Sequence, residues 1–331
     1  MNSLNKYGVQ IVGTGSALPK NSISNEDLSQ FLDTSDTWIS TRTGISNRRI
    51  VSGDESIVSL SVEASLNAIK NANIKPNDID LIILATSTPE DLFGSASKIQ
   101  AMIGAHNSFA FDLTAACSGF LLGFITASQF LRNGSCEYAL VIGADILSEW
   151  LDWSDRTTCV LFGDGSAAVI IKKSEICNII DFQVQTDGRQ SQYLHVQSKK
   201  QPEKLQSQFM VSKSQYNYLF MNGKEVYKFA ISKIPTLIKQ CLDNNNIKES
   251  DVDWLVLHQA NERILNTVGD KLKIDRGKIL SNLKSYGNTS AASIPIVLDE
   301  AVKKNQIQAD DLIVMAGFGA GLTWGVVIMR W

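Results

Sequence analysis

The chain has 331 residues, of which 44% are hydrophobic and 20% charged, with a net charge of −3. That length and balance suit a globular protein with a large core, built as two modest domains or one duplicated one. They exclude a disordered chain and a global field for nucleic acid, and no apolar run is long enough to span a membrane.

Residues 1–6 are short and polar, which predicts no signal peptide. Tyr7 to Gly15 reads as a strand ending in a glycine-rich turn, and Asn25-Glu26-Asp27 offers a helix start. Between Thr34 and Ile45, Trp38 and Arg42 stand four residues apart and share one face if the segment is helical. On its own, that is an ordinary contact on a surface helix. Ser56 to Asn71 has helical spacing, and Leu81 to Thr86 is the continuous apolar run of a strand buried on both faces. Phe109 to Thr114 then leads through Ala115-Ala116-Cys117 into a helical pattern ending near Arg132, with Gly119 and Gly123 on one face. Ala139 to Ala144 is another buried strand; Asp155-Arg156, the turn Phe162 to Gly165 and the strand Ala167 to Ile171 follow.

Residues 174–217 are polar, with a Gln/Lys/Ser-rich patch at 197–208 that predicts an exposed loop or hairpin. This divides the chain into halves of 1–175 and 176–331. The second half repeats the rhythm: helix from Val226 to Asp243, strand Trp254 to Leu257, helix Asn261 to Leu272, helix Ile294 to Lys304, then strands Leu312 to Met315 and Gly325 to Met329. The order predicts α/β layers, with two similar halves packed together, although identity between the halves is too weak to show duplication.

Three stretches can carry chemistry. Five cysteines, at 117, 136, 159, 177 and 241, form no close pair and no metal-ligand spacing, which predicts free thiols in a reducing, cytoplasmic setting. Cys117 opens a helix, where the positive end of the macrodipole lowers a thiol pKa and favours the nucleophilic thiolate. It also reads as one more small buried hydrophobe. His258, one of three histidines, follows the strand Trp254 to Leu257 in His258-Gln259-Ala260-Asn261, at the strand end where α/β proteins place sites. It reads equally as a satisfied structural group. Asn288 lies in Gly287-Asn288-Thr289-Ser290-Ala291-Ala292-Ser293, which is also what a turn and helix cap require. A Cys–His–Asn trio serves acyl transfer with carbonyl polarisation, or a cysteine hydrolase.

These stretches, with Thr34 to Ile45, Asp155-Arg156, Phe162-Gly163-Asp164-Gly165, Met221-Asn222-Gly223 and Gly319 to Trp324, resemble the β-ketoacyl-acyl-carrier-protein synthase III family along essentially the whole chain. The resemblance implies a thiolase-like α/β fold, two similar halves stacked in five layers (αβαβα), and a homodimer. It also implies a two-stage reaction that starts type II fatty acid synthesis. Cys117 takes an acyl group, most often acetyl, from acyl-CoA; malonyl-acyl-carrier protein then loses carbon dioxide and attacks it. Coenzyme A thioester is a substrate, and no cofactor or metal is implied. His258 and Asn288 would hydrogen-bond the malonyl thioester oxygen, and an amide can only donate or orient there. Backbone N–H groups of Cys117 and Ala320 would hold the acyl-transfer oxyanion.

The resemblance also assigns the weaker signals. Trp38 and Arg156 would sandwich adenine, Arg42 would contact phosphates, and Gly223 and Tyr227 would line the pantetheine channel. Phe318 falls beside the nucleophile. Phe93 falls at the dimer seam, closing the partner's acyl pocket. Lys228, Gln259, Arg263 and Lys271 fall on a docking patch for the acidic carrier protein, and Lys271, Lys273, Arg276 and Lys278 read as a basic cluster beside the channel mouth. The chain departs from the family at Tyr286, often histidine, at Ala320, often glycine, and mildly at Tyr227. Alternatives on the same fold are an acyltransferase with another starter or acceptor and a non-catalytic carrier-protein scaffold. A hydrolase would leave Trp38, Arg42 and Arg156 without a role.

Overall fold

The computed structural model describes residues 7–205 and 209–331. The reading of residues 1–6 and the tip of the polar patch, 206–208, lie outside them.

The first sheet is built from β1 (Gly8–Ala17), β2 (Leu81–Ala85), β3 (Phe109–Leu113), β4 (Tyr138–Asp145) and β5 (Gly165–Ser174). The second is built from β6 (Ile179–Thr186), β7 (Trp254–Leu257), β8 (Ile279–Leu280), β9 (Leu312–Gly319) and β10 (Thr323–Arg330). The spatial orders are β1-β5-β4-β2-β3 and β6-β10-β9-β7-β8. In each sheet the first two pairings are antiparallel and the last two parallel. The repeat that identity could not show is thus present in topology, strand for strand.

The helices used below are α1 (Asp36–Thr43), α2 (Ile57–Ala72), α3 (Ala96–Ile103), α4 (Gly119–Arg132), α5 (Gly223–Asn244), α6 (Glu262–Leu272) and α7 (Ser293–Lys303). Local signals fix their ends: Ser56 caps α2 in a reciprocal box with Ser59, and Asn73 closes it in the left-handed conformation. Helices α4 and α7 lie between the sheets. One core joins Leu81, Ile83 and Val141 of the first sheet, through Phe120, Phe124, Ile294 and Val297, to Ile313, Met315 and Val327 of the second. Helices α2 and α3 cover the outer face of the first sheet, α5 and α6 that of the second. This gives five layers. All of Leu81–Ala85 is buried, which is why that strand reads as unbroken apolar sequence.

The polar stretch after residue 174 is not all loop. Ile179–Thr186 is the edge strand β6, half-buried on one side and exposed toward its end, so its pattern is too polar to read as a core strand. Ser198–Leu205 and Phe209–Tyr216 pair as an antiparallel hairpin.

Two contacts seat the site's loops. The turn after Leu161 docks on the Asn288 loop: Gly163 N–H donates to Asn288 O (3.0 Å) and Asn288 N–H to Leu161 O (2.9 Å). A Cβ on Gly163 would stand 2.3 Å from Tyr286 O, and Gly287 bends with φ +67°. Next to it, fully buried Asp164 accepts from Ser148 N–H (3.0 Å), Ser148 Oγ (2.6 Å) and Val51 N–H (2.9 Å). Burial pushes its carboxyl from the ordinary 3.8 up to about 6, against those hydrogen bonds.

Gly163→Ala forces backbone apart and is expected to cost about 1–3 kcal/mol in denaturant unfolding; an unchanged midpoint contradicts the docking. Asp164 has a raised folded pKa, so its contribution is fully present below about pH 4 and is lost as pH rises through 6. The stability of the wild type minus that of Asp164→Asn is expected to fall by about 3 kcal/mol from pH 4 to 7 in urea titrations. A flat difference would remove Asp164 as the cause.

Candidate active site

Cys117 lies in the tight turn Ala116–Ser118 that leads from β3 into α4. Ala116 enters the turn with φ +48°, a left-handed conformation rarely held by a residue with a Cβ. Gly319, at the end of β9, packs so close that a Cβ there would stand 2.7 Å from Cys117 N. Ser118 Oγ donates to Thr323 O (2.8 Å), tying the turn to the second sheet. The thiol is 7% exposed, and Sγ lies 3.3 Å from Ser290 Oγ. Burial pushes its pKa up to about 12; the Ser290 hydroxyl opposes the rise and the nearby Asp145 charge adds to it. The expected lowering at a helix end is therefore overridden, because loss of water penalises the thiolate more than the helix end favours it.

His258 follows β7 and is buried, with its N–H on Ala316 O (2.8 Å). Its Nδ1 is 2.7 Å from Ser293 Oγ, and the Phe318 ring meets it edge-on at 5.1 Å. Burial drives its pKa down to about 3, so the imidazole is neutral at pH 7. With Nδ1 engaged, Nε2 is the nitrogen left for a ligand. Asn288, 6% exposed, accepts from Ser290 N–H through Oδ1 (2.9 Å), which leaves the NH2 end of the carboxamide to donate.

One cavity of about 260 Å³ is lined by Cys117, His258, Asn288 and Phe318, runs past Gly223 and Tyr227, and reaches Trp38, Arg42 and Arg156. The guanidinium carbons of Arg42 and Arg156 lie 4.6 and 5.2 Å from the Trp38 ring centre. Arg156 is held there by the backbone carbonyl and side chain of Asp33. The arrangement offers a thiol, a neutral imidazole and an amide donor at a dry inner end, and flat cationic and aromatic groups at the outer end. A second, larger cavity of about 530 Å³ reaches Cys117 from another side, past Ala320, Phe162, Leu147 and Trp150. Among the described residues, no group of three or more His, Cys, Asp or Glu side chains could hold a metal.

Three expected placements change, those of Gln259, Lys278 and Arg276. Gln259 is fully buried, donating to Leu257 O (2.7 Å) and accepting from Ser281 Oγ (2.7 Å), so it holds the loop after β7 and cannot dock a protein. Phe93, expected at a dimer seam and not in its own chain's pocket, is 97% exposed and lines neither cavity. The basic cluster divides: Lys278 donates to Val252 O (2.6 Å), just before β7 and thus at the end opposite His258, while Arg276 pairs with Asp270 (3.2 Å). Lys271 donates to Ile231 O (2.9 Å), Lys228 pairs with Glu225 (2.8 Å), and Arg263 lies 5.3 Å from the channel residue Tyr227. Reading residues one by one missed Ser290, Ser293 and Asp145. They look like cap and strand-end residues, and only the fold brings Ser290 and Asp145 to Cys117 and Ser293 to His258.

The chain matches the family models "3-Oxoacyl-[acyl-carrier-protein (ACP)] synthase III" over residues 111–188 and its "C terminal" counterpart over 242–331. It is 51% identical to the β-ketoacyl-[acyl-carrier-protein] synthase III of Trichormus variabilis, covering 99% of each chain. It is also 51% identical to that of Porphyra purpurea, covering 98% of this chain and 99% of the other. The crystal structure of the 3-oxoacyl-[acyl-carrier-protein] synthase III from Aquifex aeolicus superposes with TM-score 0.91 at 42% identity, over 98% of this chain and all of that one. A fold, a cavity and a full-length likeness of this order place the chain in the β-ketoacyl-[acyl-carrier-protein] synthase III family.

Proposed function

We propose that this chain is the initiating condensing enzyme of type II fatty acid synthesis. It moves an acyl group, acetyl first, from coenzyme A to Cys117, then condenses it with malonyl-acyl-carrier protein to give 3-oxoacyl-carrier protein, coenzyme A and carbon dioxide. The observation that carries this is the single cavity joining Cys117, His258 and Asn288 to the Trp38–Arg42–Arg156 cluster. Trp38 and Arg156 would open around the adenine, with Arg42 on the phosphates and the pantetheine running past Gly223 and Tyr227.

Cys117 Sγ attacks the thioester carbonyl; N–H groups of Cys117 and Ala320 stabilise the oxyanion, and coenzyme A leaves as its thiolate. The malonyl thioester then enters the same channel with its carbonyl oxygen between His258 Nε2 and the Asn288 NH2. Carbon dioxide departs, and the enolate charge falls on that oxygen. A neutral imidazole and an amide can both donate to it without first being deprotonated. No base has to remove a proton from carbon, which suits a histidine whose burial opposes protonation.

Arg263 and Lys228, with Lys271 farther along, are the cations proposed to meet the acidic carrier protein. Phe93, with the edge strand β3 and its half-exposed Phe109, is proposed to meet a second copy of the chain in a homodimer. No helix among the described residues is long and apolar enough to cross a membrane, and all five cysteines are free, which supports a cytoplasmic setting.

The two stages separate by substitution. Cys117→Ala is expected to abolish acyl transfer. His258→Ala and Asn288→Ala should still form the acyl-enzyme while losing condensation by a factor on the order of a hundred or more, followed as 3-oxoacyl-carrier protein release. Condensation at wild-type rate in either variant would remove that residue from the mechanism.

A further inference from the structure

Cys117 has one polar side-chain neighbour that the two stages above leave unused. Ser290 Oγ lies 3.3 Å from Sγ, and both residues are buried. Beside it, at the end of β4, is Asp145, fully buried. The partners of that carboxylate are all neutral. Oδ1 takes Ser87 N–H (2.7 Å), Thr86 Oγ1 (3.1 Å) and Thr88 Oγ1 (3.3 Å), and Oδ2 takes Ala291 N–H (3.2 Å). The next residue after Ser290 thus bonds Asp145 directly, and the Ser290 hydroxyl is near enough to hold the carboxyl's pKa down against burial. Ser290 holds φ +50° to stand there, a conformation that costs on the order of 1 kcal/mol or more for a residue with a Cβ. A buried serine bent against its preference, with a thiol on one side and an uncompensated carboxylate on the other, is a bridge for a proton.

We propose that Ser290 is a positioning residue that passes the Cys117 proton to Asp145 as the nucleophile is acylated. The inference rests on Cys117 being the acyl-accepting group. The S–H bond breaks as the proton moves to Ser290 Oγ, and the serine's own proton moves to a carboxylate oxygen of Asp145. The thiolate adds to the thioester carbonyl, the bond to the coenzyme A sulfur breaks, and that thiolate takes a proton from water. While the acyl group stays on Cys117, Asp145 is a neutral acid, so no negative charge faces the enolate that forms next. When condensation expels Cys117 as a thiolate, the proton returns from Asp145 through Ser290. One proton from water is consumed per turnover, matching loss of the malonyl carboxylate as carbon dioxide. The titratable groups beside the thiol are Asp145 and His258, and the second is occupied at Nδ1 by Ser293. Two like-charged groups at such distance share a proton more readily than they both ionise.

Ser290→Ala removes the hydroxyl but keeps the backbone N–H on Asn288. Ser290→Gly does the same and also relieves the left-handed backbone, so a purely conformational role would survive it. In both, single-turnover acylation by acetyl-CoA at pH 7 is expected to slow on the order of a hundredfold. The rate of iodoacetamide alkylation of Cys117 at pH 8 should fall about tenfold, while malonyl-carrier-protein decarboxylation stays within about twofold. Wild-type acylation and an unchanged alkylation rate in either variant would overturn the relay. So would a parallel loss of decarboxylation, which would make Ser290 only a support for Asn288. Failure of the wild type itself to be acylated would instead overturn the assignment of Cys117, and the relay with it.

Discussion

The site depends on two bent turns meeting at the middle of the molecule. Ala116, before α4, and Ser290, before α7, each start a short tight turn with a left-handed residue, at φ +48° and +50°. The topological repeat makes them counterparts: each turn follows the third strand of its half and opens a helix of the central layer. In the first half this delivers Cys117, and in the second it delivers Asn288, Ser290 and Ser293. The approach is close because Gly319 and Gly143 have no side chain. A Cβ on Gly143 would stand 2.3 Å from Ala291 O. Backbone strain on both sides of one contact is retained only because the five layers around it are packed solid.

The same packing sets the electrostatics. The thiol, the imidazole and the Asp145 carboxyl are each shifted by burial toward their neutral forms. A dry site is poor at holding charge without partners and good at stabilising it where donors already point, as they do at Asp145. At the other end of the cavity, Arg42 and Arg156 reach water beside the Trp38 ring. A buried end and a cationic, water-facing end thus share one cavity, under opposite dielectric conditions.

Much of the fold was legible because the strands buried on both faces write themselves as apolar runs, as Leu81–Ala85 does, and because Ser56 caps its helix in the usual way. Strand β6 was not, since an edge strand with one wet face has no such signature. The trio and the Trp38–Arg42 pair were visible through spacing and family likeness, which carry residue identity well. Surroundings were less visible. The thiol at a helix end reads as activated, but the burial that reverses this comes from β9, two hundred residues away. Gln259 and Lys278 look like parts of a basic, exposed face, yet one is sealed in the core and the other hangs at the far end of β7. Distance along a chain says little about which end of a strand a side chain reaches.

Everything proposed for the site requires Cys117 to accept the acyl group and give it up to a malonyl nucleophile inside one cavity. Intact-protein mass spectrometry after mixing with acetyl-CoA, then with malonyl-acyl-carrier protein, tests it most directly. One acetyl adduct is expected, mapped to Cys117, and it should vanish as acetoacetyl-carrier protein appears. An adduct on another residue, or one on Cys117 that malonyl-carrier protein never discharges, would contradict it.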